Sequence, residues 1–147
     1  IEDKFDLIIM SHLIEHFQYD SLKIFMENYL SRLKVGGHLL IITPMLDTTF
    51  YTNFDHVKPY LPDGIRTVFE NDMSQVQFQS SQRLKLIDLY FRKSPFLLKF
   101  FKSNYIGKQK LIIKIINYIY LITFNLSGRL LGKKNGWIGL YKKIGEI

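Results

Sequence analysis

The sequence has no cysteine, which excludes a disulfide scaffold and any cysteine-ligated zinc site and fits a reducing, cytoplasmic setting. No signal peptide is visible. There is also no glycine-rich G-x-G turn after a strand and no acidic residue closing a second strand. Those are the two features with which a doubly wound sheet holds a nucleoside-bearing cofactor. Gly36 and Gly37 do not substitute for them, because they precede a strand pattern rather than follow one. Acid is scarce in one half of the chain only. Residues 1–82 hold 6 basic and 11 acidic side chains, while residues 83–147 hold 14 basic and 2 acidic, so the net charge of +7 is the sum of −5 and +12. The basic half suits phosphate, anionic lipid or nucleic acid. At 147 residues the length is that of about one domain.

What is present begins with "FDLIIM", a short apolar run that predicts a buried parallel strand over 5–10. The turn "SHLIEH", Ser11 to His16, follows. After it, Leu22, Phe25, Met26, Tyr29, Leu30 and Leu33 recur at intervals of three and four, the pattern of an amphipathic helix. Asp20 or Ser21 is the expected N-cap, and Gly36 the expected C-cap glycine. "HLLIITP" then predicts a second strand, closed by Pro44. Strand, turn, helix, glycine turn and strand make a βαβ unit, and so an α/β fold. Downstream, Ile65, Val68 and Phe69 predict one face of a short helix within 62–72. "RLKLIDLYFRK" carries apolar groups on both faces and reads as an interior strand, and "WIGLYKKI" as the last strand.

The order and spacing of "FDLIIMSHLIEHF", a helix and "LKVGGHLLIITP" resemble the fourth and fifth strands of class I S-adenosylmethionine-dependent methyltransferases. "DHVKPYLPDGIRTVFE" resembles the segment D-H-V-x-P-x-x-P-x-x-L-x-x-L-x-E of members that modify sugars, lipids or surface polysaccharides, with Ile65 and Val68 where leucine is frequent. The resemblance covers roughly the first two thirds of the chain. It implies the C-terminal half of a Rossmann-like sheet, strands four to seven. With the G-x-G turn missing, the 147 residues are expected to be a partial domain, a C-terminal fragment of a longer methyltransferase. The family joins its last two strands by a hairpin. Roughly forty residues separate them here, which calls for an inserted structured segment at 94–135. That insert is greasy and basic. It is open to three readings: a helical lid over the site, an interfacial membrane helix, or a true span interrupted by Lys114, Asn117, Asn125 and Arg129.

The resemblance also implies site residues. Ligands of such sheets bind beyond the carboxyl ends of the strands. Ser11 would therefore lie near the donor, S-adenosylmethionine, and His12 would face donor and acceptor as a proton acceptor. His56 is the second catalytic candidate, in the loop where the family places acceptor contacts. Glu15, His16, Thr43 and Pro44 would orient or wall the acceptor, a small molecule, glycan or lipid. Some quinone-type relatives bind a divalent metal at the matching turn, and His12, Glu15 and His16 have ligand-type side chains, but no residue is assigned as a metal ligand. Two other function classes compete. H-x-x-E-H on a helix is the inverted zincin motif, with His12 and His16 as ligands, Glu15 as base and a further ligand such as Glu70. A noncatalytic membrane-surface or nucleic-acid module could rest on the basic half, although no RNA-binding signature appears and no nucleic-acid partner is expected.

Overall fold

The computed structural model describes residues 4–70, 79–107 and 109–146. The end of the helix expected at 62–72 lies outside them. The chain separates into two compact units, Ile1–Phe91 with Gly136–Ile147, and Arg92–Asn135.

In the first unit, β1 (Phe5–Ser11) leads through a 3-10 turn (Ile14–His16) into α1 (Tyr19–Leu30), and then into β2 (Leu33–Pro44). β1 and β2 pair in parallel, so the βαβ unit is present. α2 (Pro62–Phe69) follows, then β3 (Gln82–Ser94); β4 (Lys133–Glu146) ends the described chain. β4 runs antiparallel to β2, and the strand order is β1-β2-β4-β3. This places β3 on the outside, not in the interior as its two apolar faces suggested. β4 takes the inner position beside β2, and Ile87 and Tyr90 of β3 stay exposed.

The capping expectations need correction. Gln18, not Asp20 or Ser21, is the N-cap of α1, and the helix ends at Leu30 with Ser31 as C-cap. Gly36 therefore does not end the helix. It lies inside β2 with a φ of +87°, where a side chain would be strained. Phe5 pairs with Leu33 and Leu7 with His38, so two steps along β1 oppose five along β2. Gly36 and Gly37 absorb this irregularity. A Cβ on Gly37 would stand 2.9 Å from the Lys34 carbonyl oxygen and 3.0 Å from that of Asp6. The glycine pair thus serves close backbone approach in a bulge.

The core lies on one face of the sheet. Met10, Leu39, Ile41, Trp137 and Tyr141 share that face by register and are buried in one cluster with Leu22, Met26 and Leu30 of α1 and Ile65 and Phe69 of α2. On the opposite face Leu7 and Ile9 are exposed, and Leu40, Ile42, Ile138 and Leu140 are half-buried. Burying a side chain of this kind fully contributes about 1.5–3 kcal/mol, and this face withholds most of that. Among the described residues β1 has no strand partner on its outer edge.

The second unit contains α3 (Lys102–Ile106) and α4 (Leu111–Leu126). Among the described residues no helix is long and apolar enough to cross a membrane.

Candidate functional site

The turn after β1 is built by His12, Glu15 and His16, which have different tasks. The His12 N–H donates to the Ile42 carbonyl at 2.8 Å, extending the β1–β2 ladder by one step. The chain then leaves the sheet abruptly, and His12 takes a φ of 49°. Left-handed backbone at a non-glycine residue is uncommon, and it collects at functional turns. The result is an imidazole presented at the carboxyl end of a parallel strand, with its side chain 52% exposed.

Glu15 is fully buried beneath it. Its Oε2 accepts the Thr43 hydroxyl at 2.9 Å, and its Oε1 stands 3.3 Å from His12 Nδ1. Oε1 has no hydrogen bond of ordinary geometry, so the approach of His12 is its compensation. The Glu15 carbonyl accepts the N–H groups of Val57 at 2.8 Å and Lys58 at 3.2 Å. One residue therefore ties the turn, the end of β2 and the loop after β2 together. Thr43, expected as acceptor wall, is itself buried. It acts on the site through Glu15, whereas Pro44 stays half-buried and Ser11 exposed at the two strand ends.

His16 and His56 meet on the loop side. His16 Nδ1 donates to the Asp55 carbonyl at 3.1 Å, with Asp55 Oδ2 at 3.3 Å. The two imidazole rings pack edge-on at 5.1 Å, and Phe50 lies 4.6 Å from the His56 ring. His56 Nε2 is 3.1 Å from the Asn53 amide nitrogen, while its buried Nδ1 lacks a hydrogen-bond partner among the described residues. One ligand atom each from Glu15, His16 and His56 fall within 4.8 Å of one another. A carboxylate with two imidazoles is a donor set for a transition-type divalent cation rather than magnesium. The grouping takes in His56 and not His12.

That geometry bears on the zincin spacing. His12 stands at a strand end and His16 at the close of a three-residue 3-10 turn, so no α-helix brings them to one face. Glu70, the suggested further ligand, accepts from Arg66 Nε at 2.9 Å and from the Leu86 N–H.

The sequence reading missed a cleft of about 450 Å³ between α1, α2 and the segment joining β2 to α2. Tyr19, Lys58, Tyr60, Asp63 and Thr67 are among its lining, and none of the expected site residues is. The Lys58 ammonium lies 5.5 Å from the Tyr19 ring centre and 5.4 Å from that of Tyr60, within cation–π range. The Tyr60 hydroxyl donates to the Phe17 carbonyl at 3.0 Å. Burial, helped by the nearby Asp20 charge, pushes its phenol up to about 12. It is therefore a neutral donor throughout the physiological range. The signal in the sequence is the interleaving of lysine and tyrosine in "VKPY", directly after His56.

S-adenosylmethionine needs a strand-end turn, a glycine turn and an acid for the ribose in a fold of this kind. Among the described residues only the first is present. Gly36 and Gly37 lead into a strand through a bulge, so these residues do not by themselves make the donor cradle.

No protein-family model matches the chain, and no curated protein matches it by sequence. Solved structures do. One is a SAM-dependent methyltransferase from Archaeoglobus fulgidus, at 17% identity and a TM-score of 0.51, covering 97% of this chain and 61% of that one. A second, from Bacillus halodurans and described as a methyltransferase candidate, is 14% identical with a TM-score of 0.54, covering 98% and 66%. A third is the YcgJ protein of Bacillus subtilis, at 12% and 0.51, covering 99% and 66%. The chain thus has a class I methyltransferase-like α/β fold, here with a mixed four-stranded sheet, and spans about three fifths to two thirds of the length of these neighbours.

Proposed function

We propose that these residues form the acceptor side of an S-adenosylmethionine-dependent methyltransferase acting on a small-molecule, sugar or lipid-linked acceptor. The observation that carries this reading is the turn from Ser11 to His16. It leaves the carboxyl end of a parallel strand and presents His12 in a left-handed conformation over a buried carboxylate. Reading β1, β2, β3 and β4 as the fourth, fifth, sixth and seventh strands of the fold accounts for the order β1-β2-β4-β3. The donor, which supplies the methyl group, is assigned to the part of the fold that the solved neighbours have and this chain does not span.

In this reading the chain's own residues handle a proton and the acceptor. Glu15, anchored by Thr43, faces His12 Nδ1. A carboxylate there favours the tautomer with the proton on Nδ1, leaving Nε2 to accept a proton from an acceptor hydroxyl. His16 and His56 pack against each other and fix the loop of Asp55, so that loop and turn keep one geometry. Ser11, exposed at the strand end, borders the donor side. The cleft beside Lys58 and Tyr60 is of a size that takes small ligands, and it offers the acceptor aromatic faces and a cation.

The test is methyl transfer. The protein that carries these residues is incubated with radiolabelled S-adenosylmethionine and a cell extract, which is then separated into protein, nucleic acid, lipid and water-soluble fractions. Label is expected in the lipid or the small-molecule and glycan fraction. No transfer to any fraction would overturn the reading, and label in protein or nucleic acid would overturn the acceptor class.

A further inference from the structure

The unit Arg92–Asn135 holds ten Lys/Arg residues and no Asp or Glu. Within it α4 has two apolar sides. Its inner side is settled: Ile113 and Phe124 are buried, and Asn117 holds the Leu98 backbone, accepting its N–H at 2.7 Å and donating to its carbonyl at 3.3 Å. Half a turn away, Leu111, Ile115, Tyr118, Ile119, Ile122 and Leu126 follow at intervals that keep them on one face. All six are exposed, from 39% for Ile122 to 83% for Leu126. An uncharged apolar stripe along the whole outer side of a helix is not a solvated surface.

Its length decides how a bilayer would take it. The 16 residues extend about 24 Å at 1.5 Å each, short of the roughly 30 Å hydrocarbon core, so the helix would lie in the interface rather than span. Charge decides which bilayer. Lys99, Lys102, Lys110 and Lys114 lie before and at the start of α4, and Arg129 follows its end. Long basic side chains beside an apolar stripe reach the head-group level while the stripe enters the acyl boundary. Two other occupants fit less well. A second copy would bring together two units that each hold ten Lys/Arg and no Asp or Glu. A single-stranded nucleic acid would want stacking aromatics, and the stripe is aliphatic apart from Tyr118.

We infer that α4 is an interfacial helix that docks this protein on an anionic lipid surface, its outer stripe among the acyl chains and its lysines at the phosphates. The inference does not depend on the methyl-transfer reading. It is tested by co-sedimentation of the protein with phosphatidylcholine vesicles and with vesicles containing about one third phosphatidylglycerol. Binding to the anionic vesicles is expected, with weaker binding to the neutral ones. Each basic residue near such a surface contributes about 1 kcal/mol, so Lys99→Glu/Lys102→Glu/Lys110→Glu should weaken anionic-vesicle binding by about a hundredfold or more. Ile115→Asp/Ile119→Asp alters only exposed positions, so the fold and its circular dichroism should persist while vesicle binding is lost. Three results would overturn the inference: no binding of the wild type to anionic vesicles, binding that survives the aspartate pair, or an oligomer that the pair dissolves in the absence of vesicle binding. RNA binding that survives the aspartate pair, without vesicle binding, would assign the basic surface to nucleic acid instead.

Discussion

Replacing His12 with alanine should lower turnover in the methyl-transfer assay by roughly two to four powers of ten, the range for loss of a general base, with donor affinity nearly unchanged. A group that removes a proton in the transition state acts on kcat, and its loss leaves ground-state binding largely intact. His12→Asn separates the side chain's chemistry from its backbone role. Asparagine tolerates the left-handed conformation seen at φ 49°, so it should fold like the wild type and still lose turnover. Glu15→Gln keeps a partner for the Thr43 hydroxyl but removes the charge facing His12. It should therefore lower turnover with donor affinity and fold nearly unchanged, which a purely structural glutamate would not do. Near-full turnover in His12→Ala would remove the base and leave His12 as a turn residue.

Lys143→Met should reduce the free energy of unfolding by roughly 3 kcal/mol, because each buried acceptor left without a partner costs about 1–3 kcal/mol. Lys143 is fully buried. Its ammonium donates to the Leu30 carbonyl at 2.6 Å, the Leu33 carbonyl at 3.0 Å and Glu146 Oε1 at 2.6 Å. An ammonium has three protons, and all three are used. The Leu30 carbonyl is at the C-terminus of α1, where a cation also meets the negative end of the helix dipole. Methionine has a similar length and none of the donors, so the loss is of hydrogen bonds and charge rather than volume. The hydrogen bond from Lys143, and then its charge, hold the Glu146 carboxyl below its ordinary value. A lowered carboxyl stabilises the fold above its unfolded-state pKa, and that contribution disappears as pH falls through the folded one. Urea unfolding at neutral and acid pH should therefore show both the lower stability of the variant and a shallower acid-side loss. A variant as stable as the wild type would mean that the two carbonyls find other partners.

Both residues show how far the sequence could be read. The βαβ unit and the last strand followed from apolar period and length, because one sheet face is buried and its pattern is written in every second residue, whereas the antiparallel sense of that last strand came only with the family resemblance. Lys143 obeys the same period: Trp137, Gly139, Tyr141 and Lys143 alternate onto the core face. The period would place it inside, yet "YKKIGE" read by composition looks like solvent-facing charge, and Lys143 drew no expectation. β3 misled for the opposite reason, since apolar groups on both faces describe an interior strand equally well as an outer strand with exposed side chains. Gly36 and Gly37 carried two meanings. A glycine pair after a helix suggests a cap, and only the pairing of β1 with β2 shows that it absorbs a bulge. His56 was legible as a candidate but not its neighbours. Contact with His16 and Phe50 depends on how the loop after β2 folds back, which no local pattern encodes. The Lys58–Tyr60 cleft was hidden likewise, because its walls come from α1, α2 and the segment between β2 and α2.

The central claim is that the turn leaving β1 borders a methyl donor. Ultraviolet crosslinking of labelled S-adenosylmethionine to the protein that carries these residues, followed by peptide mapping, tests it most directly. The account predicts label in the peptide containing Ser11 to His16, displaced by excess S-adenosylhomocysteine. Stoichiometric labelling elsewhere, with that peptide unlabelled, would contradict it.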